Sequence, residues 1–130
     1  MELREIFEQS RTIAVVGMSP NPDRDSHVVG RYLHQAGYRV FPVNPGAAEI
    51  AGLKCYRTLR EIGEPIDVVD VFRRSELVPP VVDEAIAVGA KVVWMQDGVV
   101  HEEAAAKARA AGLTVVMDRC MLRDHRALMS

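Results

Sequence analysis

The heptapeptide RTIAVVG occupies residues 11–17 and predicts the first strand. Its apolar and β-branched run carries no polar alternation and ends in a glycine, which is typical of a short strand buried on both faces. In the segment before it, residues 2–9, Leu3, Ile6 and Phe7 are spaced as on one side of an amphipathic helix. The segment is therefore predicted to be a short amphipathic helix followed by a buried strand.

Outward from this strand, the same kind of run recurs. Further strands are predicted at residues 39–43, 68–72, 91–95 and 113–117. Helices are predicted at 26–35 and 75–89, with Ser26 and Ser75 as N-caps, at 101–111, and in a short tail. Residues 52–56 are expected to be irregular, with a helical turn from Thr58. Strands that alternate with helices predict an α/β fold, a Rossmann-like three-layer sandwich with a five-stranded parallel sheet and helices on both faces.

Length and composition narrow the class of protein. The 130 residues suit a single domain, 1–130, and a net charge of −2 offers no general attraction to nucleic acid or to an acidic membrane. Cys55 and Cys120 match neither a zinc spacing nor a disulfide framework. The first ten residues lack the apolar core of a signal peptide, and no apolar run approaches the length of a membrane span. We therefore expect a cytoplasmic protein.

The carboxyl ends of the strands are where an open α/β sheet binds its ligands. Basic residues are concentrated in the segments that follow the predicted strands: Arg24, Lys54, Arg73, Arg74, Arg119 and Arg123. Asp97 and Asp118 lie in the same segments and reduce the positive field. The pattern predicts an anion-binding rim at this edge of the sheet.

The loop after the first strand excludes the usual dinucleotide site. Its sequence, GMSPNPDRDS at residues 17–26, has the first glycine of a G-x-G-x-x-G fingerprint but neither of the others. The second strand ends in VNP, residues 43–45, where an NAD site expects an acidic residue. What remains for an anion is the hydroxyls of Ser19 and Ser26, the charge of Arg24 and the N-terminus of a helix.

An ordered set of motifs resembles one family. The run GMSPNPDRDSHVVGRYLHQAGYRVFPVNP looks like the opening of the small CoA-binding domain family, and GLKCY, DVVDVFRRSE, VVWMQDGV and AGLTVVMDRC follow in that family's order. The resemblance covers residues 5–125, nearly the whole chain. More distantly, the chain is similar to the amino-terminal, nucleotide-fold domain of the succinyl-CoA synthetase α subunit. The resemblance implies coenzyme A, or an acyl-CoA, as the ligand.

The resemblance also implies a set of contacting residues. Those expected near the CoA diphosphate are Gly17, Met18, Ser19, Arg24 and Ser26. Those expected along the adenine and ribose are Val43, Asn44 and Pro45. Those expected at the adenosine and pantetheine are Phe72, Arg73 and Arg74, and those expected beside the pantetheine arm alone are Gln96 and Gly98. The synthetase domain has a lysine soon after its second strand where this chain reads NPGAAE, so the contact to the 3′-phosphate stays open between Lys54 and an arginine.

The function predicted from the sequence is binding of CoA without catalysis of its own. The four histidines are scattered, and none stands at a triad-like spacing from an acid and a nucleophile. One alternative is a nucleotide-dependent oxidoreductase or transferase. Another is a thiol-dependent enzyme that uses Cys120, because the adjacent Arg119 would lower the pKa of a thiol. The sequence leaves open whether the protein has a protein partner. Trp94, Met95 and Met117 are predicted to be core residues.

Overall fold

Strands and helices alternate along the chain in the computed structural model, which describes residues 1–129. The strands are β1 (Thr12–Val16), β2 (Arg39–Val43), β3 (Glu49–Ile50), β4 (Leu53–Lys54), β5 (Val68–Val71), β6 (Val92–Met95) and β7 (Thr114–Val116). The helices are α1 (Leu3–Gln9), α2 (Asp25–Gln35), α3 (Val78–Ala87), α4 (Glu102–Ala110) and α5 (Met121–Met129). Single 3₁₀ turns lie at Arg60–Ile62 and Ser75–Leu77.

The main sheet has five parallel strands in the order β2-β1-β5-β6-β7, which confirms the predicted fold class. From β1 the chain first adds β2 on one side and then returns to add β5 on the other side. Val16, at the end of β1, is therefore paired with Val43 of β2 and with Val71 of β5. The order of the strands reverses between β1 and β5, and the crevice at that point is where such folds place a ligand.

Two apolar layers cover the sheet, as predicted. Helices α3 and α4 pack on one face, and α1, α2 and α5 pack on the other. Trp94 and Met95 are fully buried, and Trp94 lies 5.5 Å from the ring of Phe7. Met117 packs against the core but stays partly exposed. None of the helices in residues 1–129 is long and apolar enough to cross a membrane.

Ser26 does not cap α2, contrary to the sequence prediction. The helix begins one residue earlier, at Asp25, and Arg24 occupies the N-cap position. Ser26 lies inside the first turn, and its Oγ accepts a hydrogen bond of 2.9 Å from the N–H of Ser19. The hydroxyl of Ser26 therefore bonds to the N–H of Ser19 in the loop and not to an N–H of its own helix. The spacing of residues along the sequence does not show which of the two partners is used.

Ser75 is displaced from its predicted cap in the same way. It opens a 3₁₀ turn, and α3 starts only at Val78, with Pro79 and Pro80 in its first turn. Its Oγ accepts a 3.0 Å hydrogen bond from the N–H of Val100 and so joins the β5 and β6 exit loops. By contrast His101 caps α4, and its Nδ1 accepts the N–H of Ala104 at 3.1 Å.

The expectation of an irregular segment at residues 52–56 is wrong. Strands β3 and β4 form a two-residue hairpin through Ala51 and Gly52, both with positive φ. After the hairpin, Tyr56 donates its N–H to Pro42 and accepts the N–H of Asn44, so this segment covers the outer edge of β2. The missing N–H of Pro42 causes no loss there because β2 is an edge strand.

Two glycines allow the loop after β1 to lie close to its neighbours. Gly17 has φ +89°, and a Cβ added to it would lie 2.2 Å from the carbonyl oxygen of Phe72. Gly30 of α2 leaves room for the side chain of Met18, whose Sδ would lie 2.6 Å from a Cβ there. Met18 is fully buried as a result. The first glycine of the loop is therefore required by contact between two strand exits.

Asp70 stands apart among the buried residues. It lies in β5 between Val15 and Trp94, is completely buried, and neither carboxylate oxygen has a hydrogen-bond partner. Burial raises the pKa of this carboxyl well above its usual range. A charged group at this position destabilises the folded state at neutral pH.

Gly17→Ala is expected to lower the free energy of unfolding by about 2–4 kcal/mol, because it combines a left-handed backbone with a clash against a rigid carbonyl. Gly112→Ala is the matched control, since Gly112 has φ +93° with nothing within 4 Å of a Cβ. The control should lose only about 1–2 kcal/mol, the cost of the left-handed backbone alone. Denaturant unfolding followed by Trp94 fluorescence measures both, and equal losses would contradict the close approach.

Asp70→Val is expected to stabilise the protein at pH 8 by about 2–4 kcal/mol. A raised pKa in the folded state means that the folded wild type binds more protons than the unfolded chain, so its stability falls as pH rises from about 4. The gain in free energy of unfolding of Asp70→Val over the wild type should therefore shrink as the pH is lowered. Asp70→Asn should show only the part of this gain that depends on pH. Urea unfolding across this pH range tests it; an advantage that is constant with pH would contradict a buried ionising carboxyl.

Candidate functional site

The crevice between the ends of β1 and β5 holds the central part of the candidate site. The N–H of Gly17 bonds to the carbonyl of Val43 on one side, and the N–H of Phe72 bonds to the carbonyl of Val16 on the other. The Nε of Arg73 lies 3.5 Å from the point that a Cβ on Gly17 would occupy. A guanidinium group therefore stands over the switch point, where a parallel sheet of this order binds its ligand.

The two predicted serine hydroxyls are already used inside the loop after β1. Ser26 Oγ accepts the N–H of Ser19, and Ser19 Oγ accepts the N–H of Asn21 at 3.1 Å. The Nδ1 of His27 lies 2.9 Å from the carbonyl oxygen of Ser19, and both Ser26 and His27 are buried. These hydroxyls and the imidazole hold the loop in one shape, whereas the sequence predicted that the hydroxyls face a ligand.

Backbone groups are what this loop can offer to an anion. The N–H groups of Met18, Asp25 and Ser26 make no hydrogen bond to any other of residues 1–129. The last two lie in the first turn of α2, where the helix dipole favours a negative group. Arg24 is exposed beside them, and the carboxylate of Asp25 opposes its field.

The predicted adenine-side residues differ in what they can reach. Val43 is buried, so its side chain is not available. The amide of Asn44 donates to the carbonyl of Met18 at 3.0 Å and accepts the N–H of Gly46 at 2.8 Å. Pro45 is exposed and lines a cavity of about 460 Å³ together with residues that include Lys54, Cys55 and Arg57.

A second cavity, of about 320 Å³, lies on the other side of the switch point. Its lining includes Phe72 and Gln96, both predicted, and Val29, Cys120 and Leu122, of which only Cys120 was considered from the sequence. The Oε1 of Gln96 accepts the N–H of Met121 at 3.1 Å, which ties the start of α5 to the end of β6.

Gly98 is held by a residue that the sequence analysis missed as a structural partner. The N–H of Gly98 donates to Oδ1 of Asp118 at 2.7 Å. Asp118 itself has φ 56°, a left-handed conformation that is uncommon outside glycine, asparagine and aspartate. The sequence analysis considered Asp118 only for its charge. Its φ and its partner depend on the tertiary contact between the exits of β6 and β7.

The positive rim is narrower than predicted. Arg119 is bound to Asp124 through two hydrogen bonds of 2.6 and 3.0 Å, and Arg123 to Asp97 through two of 3.0 and 2.8 Å. The hydrogen bond from Arg123 lowers the pKa of the Asp97 carboxyl. The predicted cations without a carboxylate partner among residues 1–129 are Arg24, Lys54, Arg73 and Arg74. Positive charge is therefore concentrated around the exits of β1, β4 and β5.

The two thiols lie in different surroundings. Cys55 is buried, and burial raises the pKa of its thiol. Cys120 is partly exposed, directly before α5, in the wall of the 320 Å³ cavity. Arg119, whose charge led to the hypothesis of an activated Cys120 thiol, forms a salt bridge with Asp124. The residues described hold no cluster of three or more histidine, cysteine or carboxylate side chains that could bind a metal ion.

The histidines have structural surroundings, with the exception of His34 on the exposed surface of α2. His125 packs edge-on among Phe7, Tyr32 and Tyr38, with ring centroids 5.2–5.6 Å apart, and its Nδ1 lies 2.7 Å from the hydroxyl of Tyr32. Burial lowers the pKa of this imidazole. The arrangement joins α1, α2 and α5 and lies away from the crevice residues.

Comparison with known proteins identifies relatives of this chain. Residues 11–126 match the model of the CoA binding domain. The uncharacterized protein YneT of Bacillus subtilis is 47% identical over 124 residues, which are 95% of this chain and 92% of that protein. A solved structure from Pyrococcus horikoshii OT3 is 45% identical, with a TM-score of 0.96 over 98% of this chain and 90% of that one.

The family also includes parts of larger enzymes. The α subunit of the ADP-forming acetate–CoA ligase I of Pyrococcus furiosus is 31% identical over 99 residues. The match covers 72% of this chain but only 21% of that subunit. The ordered motifs, the parallel sheet and the match over residues 11–126 lead to one conclusion: this chain belongs to the CoA-binding domain family.

Proposed function

We propose that this protein binds coenzyme A, or an acyl-CoA, at the carboxyl edge of its parallel sheet. The observation that carries the proposal is the guanidinium of Arg73 beside Gly17, without a carboxylate partner among the described residues. Next to it the N–H of Met18 and the first turn of α2 are free to donate hydrogen bonds. A diphosphate is the part of CoA that suits such a combination of one cation and several N–H groups.

The two cavities beside the switch point suit the two ends of the ligand. The cavity of about 460 Å³ would take the adenosine end, where Lys54 and Arg57 are the cations near Pro45. The cavity of about 320 Å³ would take the pantetheine arm, against Phe72 and Gln96. In this arrangement Arg24 and Arg74 lie at the solvent-exposed side of the proposed CoA site. The side chains of Ser19, Ser26 and Asn44 hold the loops and do not contact the ligand.

Binding without catalysis remains the leading form of the proposal, in a cytoplasmic protein. The relative from P. furiosus is an α subunit. The proposal therefore includes a protein partner that acts on the bound CoA. An enzyme that uses Cys120 is the second candidate, because this thiol lines the cavity proposed for pantetheine. A nucleotide-dependent oxidoreductase or transferase is the third, and the loop without its second and third glycines argues against NAD.

Arg73→Ala is expected to weaken CoA binding by about 1–3 kcal/mol, the range for losing a charged hydrogen bond. Arg109→Ala is the matched control and should leave the affinity unchanged, because Arg109 is an exposed arginine in the last turn of α4, which leads to the start of β7 and not to the carboxyl ends of the strands. Isothermal titration of CoA into the wild type and both variants measures the difference. Equal affinities of the wild type and the Arg73 variant would contradict the position proposed for the diphosphate.

The alternatives are separated by two further measurements. Titration with NADH should give no heat of binding at concentrations that saturate the CoA site, and tight NADH binding would favour the oxidoreductase. Cys120→Ala should leave CoA affinity unchanged. If an acyl-transfer or thiol-exchange activity exists and this variant loses it, the thiol-dependent enzyme becomes the better description.

A further inference from the structure

Asn44, at the end of β2, is held through four of its polar groups. Its side-chain Nδ2 donates to the carbonyl of Met18 at 3.0 Å, and its Oδ1 accepts the N–H of Gly46 at 2.8 Å. Its own N–H donates to the carbonyl of Tyr56 at 2.8 Å, and its carbonyl accepts the thiol of Cys55 at 3.4 Å. One residue thus joins the loop after β1, the turn after β2 and the segment after the hairpin.

The orientation of the Asn44 amide follows from its partners. The backbone N–H of Gly46 can only donate, so the atom that faces it must be the oxygen. The carbonyl of Met18 can only accept, so the atom that faces it must be the nitrogen. The planar amide of asparagine can offer a donor to one loop and an acceptor to the other at the same time.

The peptide unit between Met18 and Ser19 is consequently held at both ends. Asn44 binds its carbonyl oxygen from the β2 side, and Ser26 Oγ binds its N–H from the α2 side. A peptide held in this way cannot rotate. The preceding N–H, that of Met18, makes no bond to the rest of residues 1–129. If the peptide rotated, its carbonyl oxygen could turn toward the crevice and repel an anion.

We propose that Asn44 is a positioning residue for the anion site, which acts by holding the Met18–Ser19 peptide and does not touch the ligand through its side chain. The inference rests on the proposed function, in which the Met18 N–H meets the CoA diphosphate. It differs from the sequence-based expectation, in which Asn44 lines the adenine. The chemical requirement at this position is a donor toward Met18 and an acceptor toward Gly46.

The test compares Asn44→Asp with a control of equal charge, Asn21→Asp. The Oδ1 of Asn21 only accepts the N–H of Asp23 at 3.0 Å within the same loop, and a carboxylate accepts that bond equally well. At pH 8 the Asn44 variant sets a carboxylate against the Met18 carbonyl and should bind CoA at least about 10-fold more weakly than the Asn21 variant. Both variants add one negative charge to the loops around the crevice, so added charge alone is controlled.

Lowering the pH separates positioning from a general loss of structure. A protonated carboxyl at position 44 can again donate to the Met18 carbonyl, and that acceptor raises its pKa. The affinity of the Asn44→Asp variant relative to wild type should therefore recover between pH 8 and pH 5.5. That of the Asn21→Asp variant should stay constant, because an exposed aspartate titrates near 3.9. Calorimetric CoA titrations at each pH give both ratios.

Asn44→Ala keeps the test decisive if the aspartate variant does not fold. It removes both side-chain bonds without adding a charge, and it should bind CoA about 5-fold more weakly than wild type at every pH. Trp94 fluorescence and thermal unfolding verify that each variant is folded. Wild-type affinity in the alanine variant, or in the aspartate variant at pH 8, would overturn the positioning role alone. A wild type that does not bind CoA would overturn the proposed function itself.

Discussion

The backbone of Gly17 lies against the carbonyl of Phe72, and this contact lets the exit loops of β1 and β5 approach each other. Here β1 lies between β2 and β5, and the exit loops of β1 and β5 leave the sheet side by side. A side chain at position 17 would occupy the place of the Phe72 carbonyl. The close approach brings Arg73 beside the loop after β1, so that a packing requirement of the sheet also sets a guanidinium group at the crevice.

The polar side chains around the crevice are used mainly on the protein itself. Ser26, Asn44 and Asp118 each hold a backbone N–H or carbonyl of a neighbouring loop. This leaves backbone N–H groups and a few arginines as the groups that can meet a ligand. Loops that lack regular hydrogen bonding must satisfy their backbone in some other way, and side chains are the nearest partners. The glycines of a dinucleotide fingerprint are replaced here by a longer loop with internal hydrogen bonds.

Charge pairing divides the carboxyl edge into two halves. On the side of β6 and β7, Arg119 and Arg123 are bound to Asp124 and Asp97, and this half is nearly neutral. On the side of β1 and β5, Arg24, Arg73 and Arg74 have no carboxylate partner in the part of the chain that is described. An anion would meet its strongest field near the switch point. The apolar wall of Phe72 and Leu122 lies beside it.

Apolar periodicity and glycine stops are local properties of the sequence. They were enough to predict the alternation of strands and helices, the burial of Trp94 and the edge of the sheet at which the strand exits meet. The hairpin after β2 was not predicted, since two-residue strands leave almost no periodic signal. The roles of Ser26, Asn44 and Asp118, and the pairing of Arg119 and Arg123, were decided only by the tertiary structure. Each depends on a partner from another element, and the sequence around a residue does not state which distant backbone group its side chain will meet.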